Sequence, residues 1–273
     1  MVLRRDPVLR WAGGKRTVAY ELANMMGFRS ECSHYFEPFL GAGSVFSALN
    51  PESATLGDLN SDLIRFYRHL RSSPYRLHDE ISKIPRVDST QSYNRARMEF
   101  NESAKGIYRS ALFYVLNRTC FNGIWRVNMN GFFNVPYGNR EFRGADMQQW
   151  ISASRQLKGV ELVDGDYTKS VRFARPGDIV FFDPPYLASK TEMFTRYTTS
   201  PFGVREHIAL KSEVERLTDL EVAVFVTLRD NETARTLYRD FKVRNIRASA
   251  AFDFLANNRP TSDILITNHW CDA

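Results

Sequence analysis

The chain has 273 residues, of which 43% are hydrophobic and 25% are charged, which is an ordinary composition for one large domain or two smaller ones. No apolar run approaches the roughly 18 residues that a membrane-spanning helix needs, and the first residues lack the apolar core of a signal peptide. Cys32, Cys120 and Cys271 are widely spaced and form no CxxC, and the five histidines form no ligand-spaced cluster. We therefore expect a reduced, cytoplasmic protein with no membrane association, no disulfide framework and no metal site.

The formal net charge of +6 is concentrated in one internal block. Residues 61–144 contain 14 Lys or Arg and 7 Asp or Glu, an excess of +7, whereas the rest of the chain has 23 basic and 24 acidic residues and sums to −1. Such asymmetry favours a polyanionic partner, above all nucleic acid, and a solvated basic surface is the alternative.

The apolar pattern before and within this block predicts strands first and helices afterwards. A strand over 34–39 leads into a glycine-rich turn that opens a helix, and a second strand over 54–59 ends near Asp58. From residue 61 the pattern turns helical and places four apolar side chains on one face: Leu63, Phe66, Tyr67 and Leu70. Two more helical stretches (93–102 and 107–117) precede an irregular run, 117–144, that is rich in Asn, Gly, Arg and aromatic residues.

Strands and helices alternate again after the basic block. Strands are predicted over 160–165, 178–182 and 222–228, helices near 205–218 and from Glu232, and two final strands within 241–252 and 262–270. Alternation of this kind implies a mostly parallel sheet with flanking helices. We therefore predict an α/β protein in which residues 1–60 and 145–273 form a catalytic domain and residues 61–144 form a mainly helical insert with a hairpin.

The strand over 178–182 runs directly into Asp183, Pro184, Pro185 and Tyr186. Proline cannot donate a ladder hydrogen bond, so the strand ends before Pro184. Asp183 therefore lies at the carboxyl end of the strand, where open α/β sheets bind their ligands. Asp-Pro is also a common way to leave a strand and enter a turn, so both interpretations remain open for this segment alone.

Gly41-Ala42-Gly43 lies between a predicted strand and a predicted helix, where the backbone can approach a ligand closely. Phe46 stands where a dinucleotide fingerprint needs its third glycine, and no GK[ST] follows. Asp58 closes the next strand, a place where an acid can accept hydrogen bonds from a ribose diol. Together these features fit an adenosine-containing ligand without a pyrophosphate, although a tight structural turn explains the glycines alone equally well.

Two further turns carry candidate residues. WAGGK, residues 11–15, places Lys15 behind a glycine pair, with a flexible N-terminal turn as the alternative. DGDY, residues 164–167, follows a strand, so Asp166 can meet the same ligand, and a surface turn is equally consistent.

The order of WAGGK, PFLGAGSVF, the acid of LGDLNSDL, the stretch from NGIWR to FNVPYG, and DPPY resembles that of the Dam-like DNA adenine methyltransferases. The resemblance extends from Trp11 to the final strands. It implies an S-adenosylmethionine-dependent methyltransferase sheet and a double-stranded DNA substrate, with S-adenosylhomocysteine as product and no metal. It also implies cofactor contacts at Trp11, Ala12, Gly13, Lys15, Pro38, Phe39, Gly41, Gly43, Asp58, Asp166 and Asp183.

The same resemblance assigns catalysis to Asp183, Pro184, Pro185 and Tyr186. The amino group of adenine is a poor nucleophile because its lone pair is delocalised into the ring. An acceptor at Asp183, helped by the Pro184 carbonyl, can hold the N–H groups, and Tyr186 can stack on a base extracted from the duplex. The methyl group passes directly from sulfonium to nitrogen, so neither a cysteine nucleophile nor a metal is needed.

The stretch 117–144 resembles the family's base-reading loop and hairpin. Arg126 is the candidate for a bidentate guanine contact, and Ile124 can wedge beside the gap that the flipped adenine leaves. Core packing is the alternative role for Phe132, Phe133 and Tyr137. The complete set of candidate DNA contacts is Arg10, Asn122, Ile124, Arg126, Pro136, Tyr137, Asn139 and Arg140.

The chain departs from the family pattern directly after FNVPYG, where family members often carry a basic residue. Asn139 stands there, followed by Arg140. GATC is the recognition sequence that we expect first. We also expect a monomer on DNA, and the sequence leaves open whether the enzyme is solitary, phage-encoded or paired with a restriction nuclease.

Two alternatives to this function remain open from the sequence. One is methylation of another planar amine, such as cytosine N4 or an RNA adenine, which the same four-residue motif can serve. The other is a DNA-binding protein that has kept the fold and lost turnover, although the intact DPPY and glycine motifs argue against that loss.

Overall fold

The computed structural model describes residues 6–27, 34–186, 202–247 and 262–269. Cys32, Cys271, the end of the predicted strand 241–252 and Trp270 lie outside the described residues. No helix in the described part of the chain is long and apolar enough to cross a membrane.

Seven described strands form one sheet in the order β3-β2-β1-β4-β5-β7-β6. Strand β7 is antiparallel to both of its neighbours, and the other neighbouring pairs are parallel. From β1 the chain moves outward to β2 and β3 and then returns to the opposite side of β1 as β4. This reversal creates a switch point between β1 and β4, where open α/β sheets bind ligands. The strands are β1 (Tyr35–Glu37), β2 (Ala54–Asp58), β3 (Val160–Asp164), β4 (Ile179–Phe182), β5 (Ala223–Arg229), β6 (Lys242–Ile246) and β7 (Asp263–Thr267).

Ten described α-helices accompany the sheet, together with a 3₁₀ turn over Phe121–Gly123. The predicted α/β class is therefore confirmed, and the predicted strands and helices occur within a few residues of their expected bounds wherever the structure describes both ends. Four short helices, α1, α4, α7 and α8, were not predicted. The helices are α1 (Ala19–Met26), α2 (Ser44–Leu49), α3 (Ser61–Ser72), α4 (Pro74–Ser82), α5 (Thr90–Glu102), α6 (Ile107–Thr119), α7 (Met147–Gln156), α8 (Tyr167–Val171), α9 (Val204–Asp219) and α10 (Glu232–Leu237).

Helices α3 to α6 form a helical region, and α3 joins this region to the sheet. Asn60 caps its N-terminus by accepting hydrogen bonds from the backbone N–H groups of Asp62 and Leu63. The four residues predicted on its apolar face are all buried, as is the neighbouring Ile64. This face packs against α6, which is buried on nearly all sides, and α3 also contacts β2 and β3. The hydrophobic core consequently runs without a break from the sheet into the helical region.

Candidate active site

Asp183 lies directly after β4, and one of its carboxylate oxygens is held from two sides. Its Oδ1 accepts hydrogen bonds from Lys15 Nζ at 2.6 Å and from Thr227 Oγ1, on β5, at 2.7 Å. The Lys15 side chain is only 2% exposed, and its Nζ also donates to the carbonyl of Gly13 at 3.2 Å. The turn formed by residues 11–15 is thereby tied to the DPPY segment, 168 residues further along the chain.

The ion pair with Asp183 keeps the buried Lys15 side chain protonated. Burial alone disfavours the ammonium ion, but the attraction of Asp183, Tyr186 and Asp263 outweighs it and raises the pKa of Lys15 above its usual range. Lys15 is therefore a fixed cation, and a carboxylate beside it is compensated.

Tyr186 and Pro185 are held by residues of two other elements. The Tyr186 hydroxyl donates to Asp263 Oδ2, on β7, at 2.9 Å. His207, fully buried on α9, lies with its Nε2 3.0 Å from the Pro185 carbonyl oxygen. Because a carbonyl only accepts, Nε2 carries the proton, and burial lowers the pKa of His207, which agrees with a neutral imidazole.

The glycine-rich loop is fixed to the end of β2. The backbone N–H of Gly41 donates to Asp58 Oδ2 at 3.0 Å, and that of Asn60 donates to Asp58 Oδ1 at 2.9 Å. Gly41 has a φ of +47°, and a Cβ there would lie 2.7 Å from Cδ1 of the Trp11 indole, so only glycine fits. Burial raises the pKa of Asp58 to about 6, although the two backbone hydrogen bonds act in the opposite direction.

The other residues with predicted cofactor roles lie around the same edge of the sheet. The ring of Phe39 stacks on that of Tyr167 with 5.6 Å between centroids, next to the buried Pro38. Asp166 is exposed and caps α8 by accepting from the backbone N–H and the hydroxyl of Thr168. Ala12 is exposed in the turn before Lys15. The contacts of these residues with a cofactor remain predictions.

Glu37 is a site residue that the motifs did not reveal. It is 3% exposed at the end of β1, and its Oε2 accepts hydrogen bonds from the Tyr35 hydroxyl at 2.8 Å and from the Phe46 N–H, in α2, at 2.9 Å. Burial raises the pKa of Glu37 to about 8, and the two hydrogen bonds offset part of that rise. Glu37 joins the strand before the glycine loop to the helix after it.

The predicted base-reading stretch folds as an irregular hairpin anchored on α5. Isolated bridges join Cys120 to Tyr137 and Val127 to Phe133. Phe133 is buried and stacks on Trp125 at 4.1 Å between centroids, and both of its backbone polar groups pair with the Asn101 side chain. The core-packing role is thus correct for Phe133, whereas Phe132, next in the chain, is half-exposed.

The candidate base-contacting residues differ in exposure. Arg126 is exposed, and its Nε donates to Asn134 Oδ1 at 2.9 Å, which orients the guanidinium group. Tyr137 packs on Tyr93 at 5.3 Å between centroids and is partly buried. The remaining hairpin candidates are partly buried (Asn122, Ile124) or exposed (Pro136, Asn139, Arg140).

Arg10 lies against the foot of this hairpin. Its backbone N–H donates to Asn117 Oδ1 at 2.9 Å, and its carbonyl accepts from Asn117 Nδ2 at 2.6 Å. Burial and the like charges of Arg140 and Arg118 lower the pKa of Arg10. Three guanidinium groups therefore share one small region, and an anion there would relieve their repulsion.

In the part of the chain that the structure describes, no group of three or more His, Cys, Asp or Glu residues could hold a metal ion. Carboxylates instead gather at the carboxyl ends of three neighbouring strands: Glu37 on β1, Asp58 on β2 and Asp183 after β4. A sheet of this order with DPPY after β4 defines an S-adenosylmethionine-dependent methyltransferase fold.

Comparison with known proteins gives the family. Residues 11–252 match the profile of the D12 class of N6 adenine-specific DNA methyltransferases. The chain is 31% identical over 272 residues to type II methyltransferase M1.LlaDCHI of Lactococcus lactis subsp. cremoris, covering 96% of this chain and 95% of that protein. It is 30% identical over 261 residues to the DNA adenine methylase of Escherichia coli (strain K12), covering 94% and 93%. It is 34% identical over 242 residues to the DNA N-6-adenine-methyltransferase of Escherichia phage P1, covering 85% of this chain and 31% of that protein.

The chain belongs to the D12 class of N6 adenine-specific DNA methyltransferases. The resemblance drawn from the order of its motifs is confirmed. Since the members of this class are enzymes acting on N6 of adenine in DNA, the alternatives of cytosine N4, RNA adenine and a non-catalytic DNA-binding protein lose their support.

A first prediction concerns the buried Glu37. Its pKa of about 8 lies above the ordinary 4.5, so ionisation weakens the fold progressively as the pH rises between these values. Glu37→Gln keeps an acceptor oxygen for Tyr35 and Phe46 but cannot ionise. We expect the free energy of unfolding, measured by urea titration, to fall with pH in wild type more than in the variant. The difference in favour of the variant should grow from about pH 5 to pH 8, by at most about 1.4 kcal/mol per pH unit.

The matched control is Glu52→Gln, because the Glu52 side chain is exposed, so the same substitution there removes no buried charge. A constant difference between Glu37→Gln and wild type across this pH range would contradict the prediction.

Proposed function

We propose that this enzyme transfers a methyl group from S-adenosylmethionine to N6 of an adenine flipped out of a short site in double-stranded DNA, with GATC as the candidate site. The observation that carries the proposal is the position of Asp183 at the switch point of the sheet, with one oxygen fixed by Lys15 and Thr227. The order of motifs shared with Dam-like enzymes supports GATC.

The residues at the ends of β1 and β2 fit S-adenosylmethionine. Asp58 is positioned to accept from ribose hydroxyls, Gly41 lets the Trp11 indole lie close to the loop because it has no Cβ, and Phe39 supplies an apolar wall. When bound, S-adenosylmethionine supplies an electrophilic methyl group on a sulfonium centre. The proposed contacts are Trp11, Ala12, Gly13, Lys15, Pro38, Phe39, Gly41, Gly43, Asp58, Asp166 and Asp183.

Asp183 would act on the adenine amino group through its second oxygen. Both hydrogen bonds that it receives from described residues go to Oδ1, so Oδ2 and the Pro184 carbonyl remain as acceptors for the two N–H groups. Hydrogen bonds accepted from the amine increase electron density on its nitrogen. The same carboxylate stabilises the positive charge that the nitrogen develops as the methyl group moves to it from sulfur, and the proton that the nitrogen then loses passes to solvent. Proximity of two bound substrates supplies much of the remaining rate.

Residues 61–144 would face the DNA, and residues 1–60 and 145–273 would carry out catalysis. The excess charge of +7 in the insert supports this division. Arg10, Arg118 and Arg140 at the foot of the hairpin suit a phosphate, whereas the exposed Arg126 suits a guanine edge. Asn122, Ile124, Pro136, Tyr137 and Asn139 complete the proposed DNA surface. The simplest assembly is a monomer on its target, and similarity to type II methyltransferases supports a cognate restriction nuclease.

The direct test is methyl transfer from labelled S-adenosylmethionine to duplex DNA, followed by nucleoside analysis. We expect the label in N6-methyladenine alone, and more of it in a duplex with GATC than in one with the same bases scrambled. Label in N4-methylcytosine would overturn the proposed chemistry, and equal label in both duplexes would overturn the proposed site.

A second prediction separates the chemical role of Asp183 from its structural role. Asp183→Asn removes the charge beside the reacting amine, so we expect turnover to fall by several powers of ten. It also leaves the buried Lys15 uncompensated, so stability should fall by about 3 kcal/mol. Adding Lys15→Met removes that orphaned charge, and the double variant should regain most of the stability but none of the turnover.

The measurements are urea denaturation and single-turnover methylation on the same preparations. If turnover returns together with stability in the double variant, Asp183 serves folding and the catalytic assignment is wrong.

A third prediction distinguishes base reading from phosphate contact. Arg126→Ala should cost about 1 to 3 kcal/mol in discrimination at one G·C pair and leave the other positions discriminated as before. The measurement is kcat/KM on the preferred site and on duplexes substituted singly at each position.

Arg140→Ala is the matched control, because both side chains are exposed arginines near the hairpin. It should weaken binding equally on all these duplexes and reduce the slope of log affinity against log salt by about 1. A uniform loss for Arg126→Ala as well would assign Arg126 to the phosphate backbone.

A further inference from the structure

Asp263 is a carboxylate in an apolar strand. It begins β7, is 2% exposed, and is followed by three fully buried residues: Ile264, Leu265 and Ile266. A carboxylate in such surroundings is costly unless it makes specific hydrogen bonds. Its Oδ2 accepts one from the Tyr186 hydroxyl at 2.9 Å, across 77 residues of sequence.

The strand register places a second contact to Tyr186 beside the first. Asp263 stands directly opposite Arg229 in the antiparallel pairing of β5 and β7. The guanidinium carbon of Arg229 lies 5.1 Å from the centroid of the Tyr186 ring. One cross-strand pair therefore holds Tyr186 at both ends, with Asp263 at the hydroxyl and Arg229 at the ring.

The Tyr186 hydroxyl also connects to the catalytic aspartate. Lys15 Nζ lies 3.4 Å from this hydroxyl and 2.6 Å from Asp183 Oδ1. A continuous chain of polar contacts thus runs from Asp263 through Tyr186 and Lys15 to Asp183. A change in the orientation of Tyr186 alters this chain as well as the ring itself.

We propose that Asp263 is a positioning residue that fixes the Tyr186 ring at the angle on which the flipped adenine stacks. The inference rests on the proposed function, in which Tyr186 is the stacking platform. Loss of the Asp263 acceptor removes the hydrogen bond that fixes the hydroxyl end of the ring, so the extrahelical base meets a less pre-oriented surface. The hydrogen bonds of Asp58 and Gly41, at the ends of β2 and β1, do not involve Tyr186.

The test is a double-mutant cycle of Asp263→Asn and Tyr186→Phe. Asp263→Asn keeps the size of the side chain but weakens the acceptor, and Tyr186→Phe keeps the ring but removes the donor. We expect each single variant to lower single-turnover methylation by about tenfold or more, as loss of a hydrogen bond to a charged group does. The double variant should lose less than the sum of the two single losses, because both changes remove the same contact.

Two further readouts distinguish positioning from a general effect on folding. Fluorescence of 2-aminopurine at the target adenine should show less flipped base in both single variants, and the affinity for S-adenosylmethionine should change by less than about twofold. The control is Asp230→Asn, because Asp230 lies at the same end of the sheet and pairs with Arg235 instead of Tyr186. Its flipping signal should equal that of wild type.

Independent, additive losses from Asp263→Asn and Tyr186→Phe would overturn the inference, as would an unchanged flipping signal in either variant. If Asp263→Asn does not fold, Tyr186→Phe alone decides, since wild-type flipping and methylation by that variant would leave Asp263 nothing to position. Failure of the proposed function looks different, because wild type itself would then transfer no methyl group to adenine.

Discussion

The contact between Lys15 and Asp183 is the interaction on which the site depends. It joins a turn near the start of the chain to the end of a central strand, and the entire helical region lies between them in sequence. A buried ammonium ion and a carboxylate are tolerated together only because each compensates the other. The pair consequently specifies how the 11–15 turn closes over the sheet, and it fixes the orientation of the Asp183 carboxylate.

Parts of the fold with strong periodicity could be predicted from the sequence. The central strand over Ile179–Phe182 is buried on both faces, so it shows as a continuous apolar run, and α3 shows as a clear apolar stripe. Helix α8 could not be predicted because its five residues complete little more than one turn. In the hairpin, the exposure of Phe132 and the burial of Phe133 depend on contacts with Asn101 and Trp125, which no local pattern contains.

Some residues of the candidate site could likewise be predicted from the sequence, whereas others could not. Asp58 and Asp183 are visible in sequence because an acid at the end of an apolar strand is unusual. Thr227, His207 and Asp263 were missed because their partners are defined by which strands and helices become neighbours. Asp263, for example, reaches Tyr186 only because β7 lies next to β5. Glu37 directly precedes the PFLGAGSVF motif, and its role follows from burial, which the sequence does not reveal.

The position of β7 between β5 and β6 has a consequence for synthesis of the protein on the ribosome. A nascent chain that ends after β6 exposes an unpaired edge of β5, and the two strands that should flank β7 have no partner to join them. Exposed edges of this kind can pair with other chains, so the interval before β7 emerges is when the protein is most prone to aggregate. Insertion of β7 ends that interval and, in the same step, brings Asp263 to Tyr186.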